Sequence, residues 1–260
     1  MATASLENTR AKLAWADHHL DFFQELWARY FDEDPYEITA ERAADRWVIL
    51  RLHVRRSPPV ELGLIFGDWL YSLRSALDNM IAPLIELNGK QPGRRRSFPV
   101  FDSERSFERA GRNRIAGVSD DHAARIEVLQ PYPGRSDPVI EALALVDDLG
   151  NLDKHRAIHP VLAGGYTAAS ISGMVRGVPQ GVEVTGTYTG YGKRLGDGAE
   201  FARLRFEPDR PMPQIEVESK LPIEVALSDR GLRGTALPEI RAHICAIVDR
   251  FAPDFPEAAD

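Results

Sequence analysis

Cysteine is almost absent: Cys245 stands alone among 260 residues. No internal disulfide can form, which suits a reducing compartment, so a cytoplasmic location is expected. Cys245 lies in an apolar helical stretch and reads as a small core residue rather than a nucleophile. No apolar run approaches the roughly 20 residues of a membrane span, so no membrane partner is expected. The opening Met1-Ala2-Thr3-Ala4-Ser5 lacks the basic and then apolar pattern of a secretory signal, and none is expected. Positive charge is also in deficit, with 32 Lys and Arg against 39 Asp and Glu and a net charge of −7. That excludes broad nucleic-acid binding through a generally basic surface but leaves room for a local basic site. There is no Gly-x-Ser-x-Gly elbow, no Cys-x-x-Cys and no His-Glu-x-x-His. The glycine turns at Gly164-Gly165 and at Gly190 and Gly192 lack the strand–loop–helix setting of a phosphate loop, so nucleotide binding by that route is rejected.

What is present is an ordinary folded composition, 43% hydrophobic and 27% charged. The length suffices for one large domain or two small ones. Leu6, Leu13, Ala16, Leu20, Phe23, Trp27 and Tyr30 recur at helical spacing and predict a long amphipathic helix over 5–31. Residues 46–56 alternate, with Val48, Leu50, Leu52 and Val54 on one side, and predict a half-buried strand. A helix follows over 60–88, which Pro83 is expected to kink or end early. Residues 89–118 read as mostly loop. A short helix is expected over 119–129 with Ser119 or Asp120 as N-cap, and another from Asp137-Pro138 to about 154. Period-two runs at Val182/Val184, Ala202/Leu204/Phe206, Ile215/Val217 and Ile223/Val225/Leu227 predict antiparallel strands across 161–228. A last helix is expected from an N-cap at Thr235 to about Phe251.

The helix over 60–88 has an unusual polar face. On a helical wheel Tyr71, Ser72, Ser75, Asp68, Asp78 and Asn79 share one arc with Gly67 and Arg74, while Trp, Phe, Met and Leu side chains fill the rest. That arc carries no Lys or Glu, the usual residues of a solvated face. Its groups are short and directional. Three readings stay open: an exposed face with an Arg74–Asp78 pair, a buried structural network, or a binding or catalytic site.

A second polar patch spans 147–159, with Asp147, Asp148, Asn151, Asp153, Lys154, His155, Arg156 and His159. Asp148, Asn151 and His155 fall on one helical face. A carboxylate beside His155 can orient its imidazole for acid–base work near neutral pH. The competing reading is a plain helix C-terminus, where basic groups complement the dipole. His155 and His159 have a two-ligand spacing, but nothing fixes a third ligand, and no metal is expected. His18-His19 read as surface or interface groups.

Taken together, Gly67-Asp68, Leu70, Leu73-Arg74-Ser75-Ala76-Leu77-Asp78, Phe98-Pro99-Val100, Gln130-Pro131-Tyr132 and Asp153-Lys154-His155-Arg156 resemble a set of uncharacterised bacterial and phage proteins. The likeness covers about residues 60–160 and implies no activity. Arg-Ser-Ala-Leu-Asp is also similar to the Arg-x4-His motif of HEPN helical domains, many of which are metal-independent ribonucleases. The histidine position is here Asn79, which exchanges no proton near neutral pH. A sheet is also foreign to a minimal HEPN domain.

The expected fold is α+β, a helical bundle packed on an antiparallel sheet of about four to six strands and closed by a C-terminal helix. Residues 1–158 would be the mainly helical region, 159–230 the β region, and 231–260 the C-terminal helix and tail, as one integrated domain. The expected site has Arg74, His155 and Asp153 as catalytic groups. Asp68, Tyr71, Asp78, Asn79, Asp148, Asn151 and Lys154 are the substrate-binding groups. The expected ligand is a small anion or RNA, with no cofactor, and a homodimer is compatible with the sequence. On the HEPN likeness, phosphodiester hydrolysis or RNA binding is the first function to test. The competitor is a non-enzymatic interaction or immunity-type module whose polar seams are structural.

Overall fold

In the computed structural model the described residues are 4–155, 160–164, 175–176, 183–185, 193–194, 196–205, 216–217, 224–227 and 232–255. The chain forms two compact units. One comprises 1–23, 64–158 and 237–260; the other comprises 24–63 and 159–236. The protein is therefore mixed helix and antiparallel sheet.

The helices are α1 (Glu7–Asp32), α2 (Glu61–Leu87), α3 (residues 104–114), α4 (Asp120–Val128), α5 (Pro138–His155) and α6 (Leu237–Asp249). In α2 the apolar arc is the buried one: Phe66, Trp69, Leu70, Leu73, Leu77, Met80, Ile81, Leu84 and Ile85 are at most 1% exposed. Each such side chain contributes about 1.5–3 kcal/mol on burial. That explains why Pro83 does not end the helix early. Its missing N–H and ring cost about 3 kcal/mol, and the buried side chains on either side outweigh that.

Residues 104–114 are helical rather than loop. A π-helical turn at Phe107–Gly111 sits between two short α-helical turns. Gly111 allows it, because a Cβ there would stand 2.7 Å from the Phe107 ring. Ser119 caps α4 by accepting the His122 N–H at 3.2 Å. Asp137 accepts the Val139 N–H at 2.8 Å at the head of α5, with Pro138 in the first turn. Thr235 is not the cap of the last helix. It lies in a 3₁₀ turn, Gly234–Ala236, and α6 starts at Leu237 with Pro238 in the first turn, where a missing N–H costs nothing. Val146 and Leu149 of α5 and Ile240, Ile244 and Ile247 of α6 are buried, and these two helices pack together.

The other unit holds two four-stranded antiparallel sheets and a two-stranded ribbon among the described residues. The first has the order β1 (Tyr36–Arg42), β2 (Trp47–Val54), β7 (Ala199–Arg205), β5 (Glu183–Thr185). The second has the order β10 (Leu232–Arg233), β9 (Glu224–Leu227), β3 (Pro160–Gly164), β6 (Lys193–Arg194). The ribbon pairs β4 (Val175–Arg176) with β8 (Glu216–Val217).

The strand over 46–56 thus belongs to a sheet completed by β7 and β5. Val48, Leu50 and Leu52 are at most 2% exposed, so β2 is a central strand that needs a neighbour on each side. The hairpin β1–β2 turns through Asp45 and Arg46, both at positive φ. Those residues give no Gly or Asn signal of such a turn, and β1 escapes a pattern reading for that reason. Val182, Phe206, Ile215 and Ile223 lie outside the described residues. No described helix is long and apolar enough to cross a membrane.

Candidate anion-binding cleft

The polar arc of α2 faces a cleft of about 880 Å³. From α2 it is lined by Gly67, Tyr71, Arg74, Ser75 and Asp78. Val146, Asp147, Gly150, Asn151 and Asp153 of α5 form another wall. Arg95, Arg96, Ser97 and Val100 come from the loop after α2, and Asn113 and Arg114 from α3.

Arg74 holds this arrangement together. Its side chain is 17% exposed. Nη2 lies 3.3 Å from Asp78 Oδ1, and Nη1 lies 3.1 Å from Asp147 Oδ1. The Nη1 contact is an ion pair without a well-aligned hydrogen bond. Nη2 also donates to the Phe98 carbonyl, while Asp78 accepts the Phe98 N–H at 2.9 Å. Both backbone groups of Phe98 are therefore held by one turn of α2. Gln130, fully buried, completes the grip: Oε1 accepts the Phe101 N–H and Nε2 donates to Pro99 O, each at 3.0 Å. Residues 98–101 would otherwise bring unpaired backbone into the core, where each unmade bond costs about 1–3 kcal/mol. The side chain of Phe98 is fully buried, which anchors the segment hydrophobically as well.

This grip explains how two arginines reach the cleft. The segment clamped at Phe98 carries Arg95 and Arg96 just upstream. Ser97 N–H bonds Arg114 O at 3.3 Å and brings the third arginine alongside. Arg114 lies over the Phe101 ring, 4.8 Å from its centroid. Arg95, Arg96 and Arg114 are exposed, and none of them forms an ion pair with a carboxylate among the described residues. Arg74, by contrast, has its charge met by two aspartates.

The carboxylates are shifted. Burial pushes the Asp78 carboxyl above the usual range, with Asp147 adding to it, and this outweighs the opposing pull of Arg74, the Phe98 N–H and Arg114. Asp153 is also raised, by burial first and then by the nearby Asp68 charge. Asp153 sits directly against Gly67: a Cβ on that glycine would be 2.6 Å from Asp153 Oδ2. Asn151 donates to Asp147 Oδ2 at 3.1 Å and steadies it from the next turn.

Of the residues expected from the sequence, Arg74, Asp153, Tyr71, Asp78 and Asn151 come together on this cleft. Asp68, Asn79 and Asp148 are exposed and are not among its lining residues, although the Asp68 charge reaches Asp153. The side chains of Lys154 and His155, and all of His159, lie outside the described residues. Among the described residues no group of three His, Cys, Asp or Glu is placed to hold a metal ion. Cys245 is half-buried and burial pushes its thiol up, which leaves little thiolate.

Sequence reasoning missed Asp147, Arg114 and Gln130 as site-building groups. Asp147 and Asn151 are four apart, a signal for a shared face. Arg114 carries no such signal, because a backbone hydrogen bond between distant segments places it.

No family model matches the chain, and neither a curated protein nor a solved structure matches it.

Proposed function

We propose that the cleft binds RNA through its phosphates, as an RNA-binding derivative of the HEPN type rather than a HEPN nuclease. The observation that carries this is the division of labour among the arginines. Arg74 is neutralised and holds the walls together, while Arg95, Arg96 and Arg114 line the same cleft with no carboxylate at ion-pair distance among the described residues, although the Arg114 charge still reaches Asp78. Guanidinium groups suit phosphate oxygens because their donors match them in pairs. The likeness of Arg74 to Asp78 to the HEPN motif points to the same ligand class, and Asn79 in place of the histidine removes the usual titrating group.

A second reading, a non-enzymatic interaction module, draws on the clasp formed by Arg74, Asp78 and Gln130, which explains those polar residues by structure alone.

The test is fluorescence anisotropy with labelled RNA at low salt, with cleavage followed on gels. Wild type should bind. Arg95→Ala/Arg96→Ala and Arg114→Ala should weaken binding about tenfold and make its salt dependence shallower, by about one unit of slope for each phosphate that is no longer neutralised. Absence of RNA binding by folded wild type favours the interaction module. Cleavage that is abolished in Arg74→Ala and His155→Ala would restore the nuclease reading.

A further inference from the structure

We infer that the RNA is taken single-stranded, with a base stacked on Tyr71 at the lip of the cleft and a neighbouring base on Trp15. This rests on the RNA-binding reading above and deepens it. Tyr71 both lines the cleft and is 66% exposed. On the rest of α2 the large side chains are mostly buried, so an exposed tyrosine in a cleft wall is not explained by packing. The Lys12 ammonium of α1 stands 5.8 Å from its ring centroid and adds a cation beside Tyr71. One helical turn beyond Lys12, on the same side of α1, Trp15 is 55% exposed with the edges of His18 and His19 against it. A single exposed aromatic on a surface needs no explanation. Here the order along the surface is what matters: arginines without a carboxylate ion pair in the cleft, then a tyrosine at its lip, then a lysine, then a tryptophan.

That order fits a single strand and not a duplex. Aromatic faces stack on unpaired bases of any sequence, while the cations track the phosphates. In a duplex the base faces are already stacked and an A-form groove offers Tyr71 nothing to stack on. A free phosphate or a polyphosphate would use the arginines and leave both rings idle.

The experiment compares three probes with the full chain: an RNA of roughly ten uridines, a duplex of the same length, and an abasic strand with the same phosphates. The single strand is expected to bind about tenfold or more tighter than either of the others. Tyr71→Ala should weaken single-strand binding by about tenfold and leave abasic binding and the salt slope unchanged, whereas Tyr71→Phe should bind like wild type. Trp15→Ala should weaken it less, and tryptophan fluorescence should quench on binding in wild type and Tyr71→Phe but not in Trp15→Ala. Equal binding of duplex and single strand, or an unchanged affinity in Tyr71→Ala, overturns stacking while RNA binding stands. No binding of any probe by wild type overturns both.

Discussion

Gly67 of α2 and Asp153 of α5 are in contact, and the glycine is there because nothing larger fits: a Cβ would stand 2.6 Å from Oδ2 and 3.0 Å from Cγ of the aspartate. In an exposed helix Gly→Ala gains about 1 kcal/mol. Here Gly67→Ala should instead destabilise by about 1–3 kcal/mol, because the carboxylate must move off its site. Gly67→Ala/Asp153→Ala should recover most of that loss. Urea denaturation of the two single variants and the double variant gives the coupling, which should exceed about 1 kcal/mol. Additive effects would mean that the two residues do not press on each other.

Asp153 also has a pH signature. Its carboxyl is raised by burial and then by Asp68, so the folded state holds the proton more tightly than the unfolded chain does. A raised carboxyl contributes stability that is full below the ordinary aspartate range and is lost as pH rises through its folded value. Asp153→Asn should therefore be more stable than wild type near about pH 7, with the gap closing by about pH 3. Melting temperatures across that range measure it, and a gap that widens toward acid would reverse the assignment.

Breaking the clasp on Phe98 should cost stability as well as function. Arg74→Ala leaves Asp78, Asp147 and the Phe98 carbonyl without their shared cation, at a cost of about 2–4 kcal/mol. Arg74→Lys should recover only part, because one ammonium cannot fork to two carboxylates and a carbonyl. Faster proteolysis of the loop at Arg94–Arg96 in both variants, relative to wild type, is the local readout.

A separate polar knot ties the chain's end to α4. Buried His122 lies 3.3 Å by Nε2 from Asp254 Oδ2 and 3.0 Å by Nδ1 from Ser119 Oγ. Arg125 reaches the same Asp254 at 2.6 Å, donates to the Arg250 carbonyl and covers the Phe251 ring. Asp254→Ala should cost about 1–2 kcal/mol and raise amide exchange in residues 250–255 before it affects the cleft. Unchanged exchange there would show that Phe251 alone holds the segment.

The sequence by itself determined the helices other than α3, whose residues 104–114 read as loop, and much of the polar arc. A 3.6-residue period with Trp, Phe, Met and Leu on one side of α2 leaves only one way to bury it, so Arg74 and Asp78 had to face away from the α2 core stripe. Ser119 and Pro138 marked helix starts because capping is a local interaction. What only the tertiary structure decided was which polar groups meet. Asp147 rather than Asp148 faces Arg74, a difference of one residue and about 100° of helix rotation that spacing within α5 alone does not set. Arg95, Arg96 and Arg114 share a cleft because a backbone clasp on Phe98 and a Ser97–Arg114 hydrogen bond join segments far apart in the chain. In the same way β2 acquired β7 as its sheet neighbour, with β5 beyond it, from more than a hundred residues away. Local periodicity records which face of an element is apolar; only packing between elements chooses the partner.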